Sequence, residues 1–437
     1  MNKVNSFFLE SLDLREHPLK KEKKKIRAIY FSALSYIVNE VAIQPEEKLY
    51  TSKRLQMYQD MFLSDIDSNI LLTKVGLQVV KFCIGRPWRK KFRSLLICDV
   101  SLILLDENLI RKAINIISSC LSSWGKAEIE RVIAILLDKN SIEKKYLAIE
   151  SLIIQYHNNK TFFSQVERRI IVTANMSAGK STLINALIGK PLARTSQEVC
   201  TGNICYLFNK PFEDNNVHLL TQMQMLTLNA TTEDLCNYEW SGPVSIASYF
   251  TQSTPQIQRL CVIDTPGVDA ALYRKHTDIT HAALLKEEYD LVLYVICPTN
   301  LGTDAEIRHL KWVANNLPKE KVVFVLNKLD NYKDCSDSIE ESVHGLKDDL
   351  IKLGFENPVI CPISAYFSYL LKLKITGQQM SDDEADEYDY LSKKFMRSSY
   401  DLSCYYNDVQ ISENESKEIA LTKHAGIYGL EQIIYGG

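Results

Sequence analysis

Apolar residues recur at three- and four-residue spacing through the first 165 residues. Ile26-Tyr30-Ala33-Ile37-Val41, Ile70-Leu71-Val75-Leu77-Val80 and Leu109-Ile110-Ala113-Ile116-Ile117-Leu121 are three such rows. That spacing puts each row on one face of a helix. Asp106 before Glu107, Pro87, and Lys126-Ala127-Glu128 after Gly125 mark helix starts. Gly and Pro are scarce here, and no run alternates with period two. The pattern predicts about seven helices packed as a bundle.

Near residue 168 the texture changes. Arg169–Ala174, Leu260–Ile263, Leu291–Ile296, Val322–Leu326 and Val359–Ile363 are short runs rich in β-branched residues. Helical patterns fall between them at Ser181–Ile188, Asp304–Leu317 and Ser338–Leu353. Near-continuous apolar strands alternating with helices predict a parallel sheet covered on both faces. The expected fold class is therefore α/β, a doubly wound, mostly parallel sheet, preceded by an all-α domain. The expected domains are 1–165 and 166–437. Ligands of such sheets bind at the carboxyl ends of the strands.

The strand ends carry the candidate chemistry. Ala174-Asn175-Met176-Ser177-Ala178-Gly179-Lys180-Ser181-Thr182 matches a phosphate loop, GxxxxGK[ST], with Ala174 in place of the first glycine. Backbone N–H groups around Ser177–Ser181 and the following helix N-terminus suit anionic phosphates. Lys180 suits the β- and γ-phosphates, Ser181 suits Mg²⁺, and Gly179 leaves room for close backbone approach. Asp264-Thr-Pro-Gly267 ends the next strand, with Asp264 for the Mg²⁺ shell and the Gly267 amide for the γ-phosphate. Asn327-Lys328-Leu329-Asp330 follows Val322–Leu326. An Asp at 330 can accept from the ring and exocyclic N–H groups of guanine, a pair that adenine lacks. Ser364-Ala365 can offer a backbone N–H to the guanine carbonyl. Thr201, in Cys200-Thr-Gly-Asn, is the candidate switch threonine, ligating Mg²⁺ and holding the attacking water. Each motif alone is weak. Four of them in order, each at a strand end, point to a GTPase of the P-loop class that hydrolyses GTP to GDP with Mg²⁺.

Position 268 is Val, where Ras-like enzymes place a water-orienting Gln. Thr201 and Asp264 are 63 residues apart, so an insertion is expected there, including Phe212–Asn216 and Thr231–Ser253.

Charge divides the chain as the patterning does. Of 51 Lys+Arg and 54 Asp+Glu, residues 1–165 hold 26 and 18, and the remainder holds 25 and 36. Two runs make the first part basic, Lys20–Arg27 and Arg86-Pro-Trp-Arg-Lys-Lys-Phe-Arg93. Trp88 and Phe92 among the charges suit an anionic membrane surface more than nucleic acid, while a solvated helix face is the plainer reading. Ser381-Asp-Asp-Glu-Ala-Asp-Glu-Tyr-Asp389 reads as an exposed acidic loop. The 11 cysteines show no CxxC pair, and several sit in apolar runs, which fits free thiols in a reducing cytoplasm. No run reaches about 18 apolar residues, and no signal peptide is evident at the N-terminus, so a cytoplasmic chain with peripheral membrane contact is expected.

Ser177-Ala-Gly-Lys-Ser-Thr-Leu-Ile-Asn-Ala-Leu-Ile-Gly189, Cys200-Thr201, Asp264–Gly267 and Asn327–Asp330 together resemble the dynamin superfamily, particularly bacterial dynamin-like proteins. The resemblance runs over about 168–435, with His424–Glu431 resembling the closing segment of such a domain. It implies turnover stimulated when domains of two copies pair across the nucleotide. It also implies that Ser177 helps hold a monovalent cation and that Thr201 orients the water. The chain departs from the pattern at Met176, where relatives carry Gln, and at Ala174 and Asn175, where they carry small glycines. The resemblance further implies a long helical stalk, much of it after the closing segment. Only a few residues follow that segment here, so either truncation or different mechanics is expected. Leu95–Leu137 loosely resembles TerB-like helical domains. Two other readings stay open: a signalling GTPase with slow, partner-dependent hydrolysis, and an RNA- or ribosome-associated GTPase using the basic half.

Overall fold

A computed structural model describes residues 6–65, 75–137, 148–193, 203–221, 225–231, 234–235, 242–253, 258–268, 274–333, 337–407, 409–412 and 415–436. Its chain divides into two compact units. The first is Met1–Gln165 together with Pro211–Asn216, and the second is Val166–Lys210 with Val217–Gly437.

The first unit is helical. Its core is the helix Lys90–Leu104, in which every residue from Arg93 to Leu104 is buried. A helix buried all round needs neighbours on every side. Lys24–Val41, Pro45–Leu63, Leu77–Ile84, Glu107–Ser119, Ser123–Leu137 and Glu150–Ser164 supply them. Asp106 caps Glu107–Ser119, accepting from the N–H groups of Asn108 and Leu109. The helix expected to start after Gly125 begins instead at Ser123. Gly125 lies inside it, buried, where a Cβ would stand 3.2 Å from the Leu121 Cβ. Asp99 is fully buried in the central helix, and its carboxylate accepts from the Tyr30 and Tyr58 hydroxyls and lies 3.2 Å from His17 Nε2. Among the described residues no helix is long and apolar enough to cross a membrane. Pro211–Asn216, part of the expected insertion, joins this unit: Ser11 Oγ donates to Phe212 O at 2.6 Å, and Leu12 N–H donates to Asp214 at 2.8 Å.

The second unit is built on a sheet with nine strands among the described residues. They are β1 (Arg168–Ala174), β2 (Cys205–Asn209), β3 (His218–Leu220), β4 (Leu226–Thr227), β5 (Val244–Ser248), β6 (Leu260–Asp264), β7 (Leu291–Ile296), β8 (Val322–Leu326) and β9 (Val359–Pro362). Their order is β4-β3-β5-β2-β6-β1-β7-β8-β9. From β6 to β9 every pairing is parallel. The other edge is mixed, since β2 runs antiparallel to β6 and β3 runs antiparallel to both β4 and β5. β1, β7 and β8 are buried along almost their whole length, the signature of a sheet covered on both faces. The register pairs Val172 with Asp264 and Ala174 with Val295, so β1, β6 and β7 end together at one edge of the sheet.

The acidic segment expected as a loop is a helix, Asp382–Phe395. Ser381 accepts from Glu384 N–H while the Glu384 carboxylate accepts from Ser381 N–H, a capping box. Asp382, Asp383 and Glu384 fill its first turn, where the helix dipole favours negative charge. The C-terminal helix Ile427–Tyr435 buries Ile427, Leu430 and Ile434 in the sheet's core. Glu431 on it forms a fully buried ion pair with Lys372.

Candidate functional site

β1 ends at Ala174, and the chain turns sharply through Asn175–Gly179 before the helix Lys180–Ile188. The turn needs left-handed backbone at Ser177 (φ 62°) and Gly179 (φ 90°). Gly179 is required for a second reason, because a Cβ there would stand 2.4 Å from Asn327 Nδ2. Asn327 is the hub. Its Nδ2 donates to Ala178 O at 3.0 Å, and its Oδ1 accepts from Ala365 N–H at 3.0 Å. One buried side chain thus ties together three of the segments singled out from the sequence.

The strand-end segment of β6 lies alongside. Val268 N–H donates to Ala174 O at 3.0 Å, Met176 N–H reaches Val268 O at 3.4 Å, and Thr265 Oγ1 donates to Val172 O at 2.8 Å. Gly267 faces Met176, and a Cβ on it would stand 3.2 Å from Met176 Cγ. The Val268 side chain is buried. Lys180 Nζ donates to the Asp264 carboxylate in a buried ion pair. Ser181 and Thr182 follow on the first turn of the helix, both half-buried. Ser177 and Met176 are exposed.

On the base side, Lys328 adopts a left-handed backbone (φ 65°) and leads into the short 3₁₀ turn Leu329–Asn331. The Ser364 hydroxyl donates to Asp330 Oδ1 at 2.7 Å. Ser364 also caps the helix Ala365–Thr376, its Oγ accepting from Phe367 N–H at 3.2 Å. The structure therefore brings together Asn175, Met176, Ser177, Ala178, Gly179, Lys180, Ser181, Thr182, Asp264, Gly267, Asn327, Lys328, Asp330, Ser364 and Ala365 at one edge of the sheet. Thr201 lies outside the described residues.

Behind the phosphate loop is a buried polar layer that sequence reasoning missed. Asn175 Nδ2 donates to Glu306 Oε2 at 2.6 Å, and the Tyr294 hydroxyl donates to Glu306 Oε1 at 2.8 Å. Glu306 is fully buried, and burial pushes its carboxyl above the usual range despite those two donors. The buried Asn175 Oδ1 has no hydrogen-bond partner among the described residues. Thr173 Oγ1 lies 3.0 Å from His309 Nε2, and His309 Nδ1 lies 3.4 Å from His281 Nε2. His281 stacks on Trp312 at 3.6 Å. Burial, with His281 beside it, holds His309 down at about 3, so it is neutral at ordinary pH. Thr303-Asp-Ala-Glu306 has the spacing of a helix start. Thr303 does cap that helix, but the Glu306 carboxylate turns inward to Asn175.

Ser181 and Asp264 present hard oxygen donors beside the phosphate-loop lysine, a donor set that suits Mg²⁺ completed by phosphate and water oxygens. No cluster of three or more His, Cys, Asp or Glu side chains suited to a metal occurs among the described residues.

A parallel sheet whose strand ends carry a phosphate loop, an aspartate and an Asn-Lys-Leu-Asp turn defines the P-loop α/β class of nucleotide-binding domains. Residues 170–329 match the model of the Dynamin family. The chain is 26% identical over 219 residues to "Probable transmembrane GTPase FZO-like, chloroplastic" of Arabidopsis thaliana, covering 49% of this chain and 21% of that protein. It is 25% identical over 170 residues to "Dynamin-like protein A" of Bacillus subtilis (strain 168), covering 37% of this chain and 13% of that one. The match thus takes in 21% of the length of the first relative and 13% of the second. Among solved structures, an oligomerised bacterial dynamin pair aligns over 100% of this chain and 63% of its own at 14% identity, with a TM-score of 0.37.

Proposed function

We propose that the second unit binds GTP and hydrolyses its β–γ phosphoanhydride to GDP and phosphate. The observation that carries the reading is Asn327, whose two hydrogen bonds hold the phosphate loop and the base-side turn to one another. A nucleotide, with phosphates at one end and a base at the other, is the ligand that suits both. The N–H groups at the start of the helix Lys180–Ile188 and the Lys180 ammonium take the phosphates. Asp330, with Ser364 against it and Ala365 N–H nearby, takes the guanine edge. Ser181 and Asp264 hold Mg²⁺, which supplies neutralisation of charge on the phosphates. In the structure Lys180 and Asp264 pair with each other, so nucleotide binding exchanges one buried ion pair for two new ones: lysine with phosphate and aspartate with cation.

Hydrolysis needs a positioned water. The buried apolar Val268 cannot orient it, which leaves Thr201 for that role, with Ser177 and a monovalent cation for charge. This favours a low basal rate raised by pairing of two G domains. The alternative, a slow switch dependent on another protein, has the support of Met176, an exposed thioether where relatives carry a glutamine.

Peripheral contact with an anionic membrane is assigned to the first unit. Lys91 pairs with Glu22 at 3.1 Å, so the two basic runs adjoin in space. Trp88 is 70% exposed and Trp124 60% exposed, with Arg86 over the Trp88 ring at 5.2 Å. Tryptophan beside arginine and lysine suits a lipid headgroup layer.

Phosphate release measured across protein concentration, with light scattering in GDP and in GDP·AlFx, tests this function. The specific rate is expected to rise with concentration and the transition-state mimic to give dimers. A monomer throughout, with a concentration-independent rate, sinks the dynamin-like mechanism. No phosphate release at all sinks the enzyme reading.

A further inference from the structure

The helix Asp382–Phe395 begins in an acidic cap and ends beside the base-side turn. Its last turn carries two lysines. Lys393 is exposed and suits the negative end of the helix dipole. Lys394 is buried, and its ammonium donates to Asp330 O and to Tyr332 O, both at 2.6 Å. The Tyr400 hydroxyl donates to the same Tyr332 carbonyl at 2.8 Å, and the Tyr400 ring lies 4.6 Å from the ammonium. Phe395 anchors this end of the helix, stacking on Phe367 at 5.0 Å. Phe367 belongs to the helix that Ser364 caps.

The two carbonyls lie within and just past the 3₁₀ turn Leu329–Asn331. That turn is short, and its backbone direction decides where the Asp330 carboxylate points. Ser364 holds the carboxylate from one side, and Lys394 holds the backbone from the other. A buried ammonium is costly unless its donors are used, so its place here fixes the carbonyls it meets.

We propose that Lys394 is a positioning residue for base selection: it pins the Asp330 turn so that the carboxylate meets both guanine N–H groups, with Tyr400 as its support. The proposal rests on the guanine-nucleotide reading given above. Its distinguishing consequence concerns the exocyclic amino group of guanine, which hypoxanthine lacks. A loosened Asp330 loses the two-point contact, while the phosphate contacts of Lys180 remain.

The test is displacement of a fluorescent GDP analogue by GDP, IDP and ADP, on the full chain with Mg²⁺. Lys394→Met should weaken GDP about tenfold or more, the worth of a lost charge-assisted hydrogen bond. IDP should weaken far less, so the GDP:IDP preference collapses toward one. Lys394→Arg should restore most of that preference. Tyr400→Phe, which keeps the ring and should fold even if Lys394→Met does not, should move the ratio the same way by a smaller factor. A GDP:IDP ratio unchanged in the folded variants overturns the role of Lys394, as does equal weakening of GDP, IDP and ADP. Wild-type protein that binds ADP as well as GDP instead overturns the guanine reading beneath it.

Discussion

In the helical unit Asp99 is fully buried and its carboxylate is enclosed by two tyrosine hydroxyls and an imidazole. In the α/β unit Asp264 is buried nearly as deeply, but its partner is Lys180, a long side chain that can leave it for a phosphate. The first arrangement is closed. Its donors come from the helices Lys24–Val41 and Pro45–Leu63 and from the segment around His17, and the carboxylate welds them to the central helix. The second is open. It stands at a strand end, where the phosphate loop passes into its helix. Burial of charge is common to both, and what separates structure from chemistry is whether the partners are interchangeable.

That contrast can be broken by substitution. Lys180→Ala should lower GTP turnover by about 100-fold or more, since the phosphate charge loses its main side-chain partner. Phosphate-release assays check this; melting should fall as well, because Asp264 is left buried without its cation. Asp99→Ala should touch stability alone, costing about 3 kcal/mol because two hydroxyls and an imidazole stay buried without their acceptor. Urea unfolding reads that loss, while nucleotide affinity stays unchanged. If Asp99→Ala altered nucleotide affinity directly, the division between the two networks would fall.

Glu306 sharpens the comparison, because it is as buried as Asp99 yet touches the phosphate loop. Glu306→Ala should weaken nucleotide binding about tenfold by freeing Asn175. Glu306→Gln keeps a partner for both neighbours through an amide flip of Asn175, and should weaken it less. Equal affinity in all three proteins would make Glu306 purely structural. A further effect concerns acid. His309 is held to about 3 when folded, against an ordinary value near 6.5. Below 6.5 the unfolded chain therefore binds a proton that the folded chain refuses. Stability of the α/β unit should then fall as pH drops from 6.5 toward 3, by about 1.4 kcal/mol per pH unit from this group. His309→Gln, compared by denaturant unfolding across that range, should flatten the slope.

The parallel half of the sheet was legible because its strands are continuous apolar runs. Each of Leu260–Ile263, Leu291–Ile296 and Val322–Leu326 reappears with its ends moved by at most one residue. The mixed edge was not. β3 and β4 are three and two residues long, and β5, Val-Ser-Ile-Ala-Ser, carries too few apolar residues to announce itself. The acidic segment misled because nine residues rich in Asp and Glu look like a solvated loop, although Ser381 and Glu384 spell a helix start. Of the site, the residues that would touch the ligand were legible by their order along the chain. Glu306, Tyr294, His309, Lys394 and Tyr400 were not, because each acts through a neighbour brought close only by folding. Glu306 and Lys394 also satisfy ordinary helix-end patterns, which hid them.

Asp330→Asn with competing GTP, XTP and ATP tests the central claim most directly, because it reads the base without depending on hydrolysis, pairing or membrane. The wild type should bind GTP and exclude ATP. The variant, donating where the carboxylate accepted, should lose GTP by at least about tenfold and gain XTP. Binding of GTP and ATP alike by the wild type, or an unaltered preference in the variant, would contradict the account.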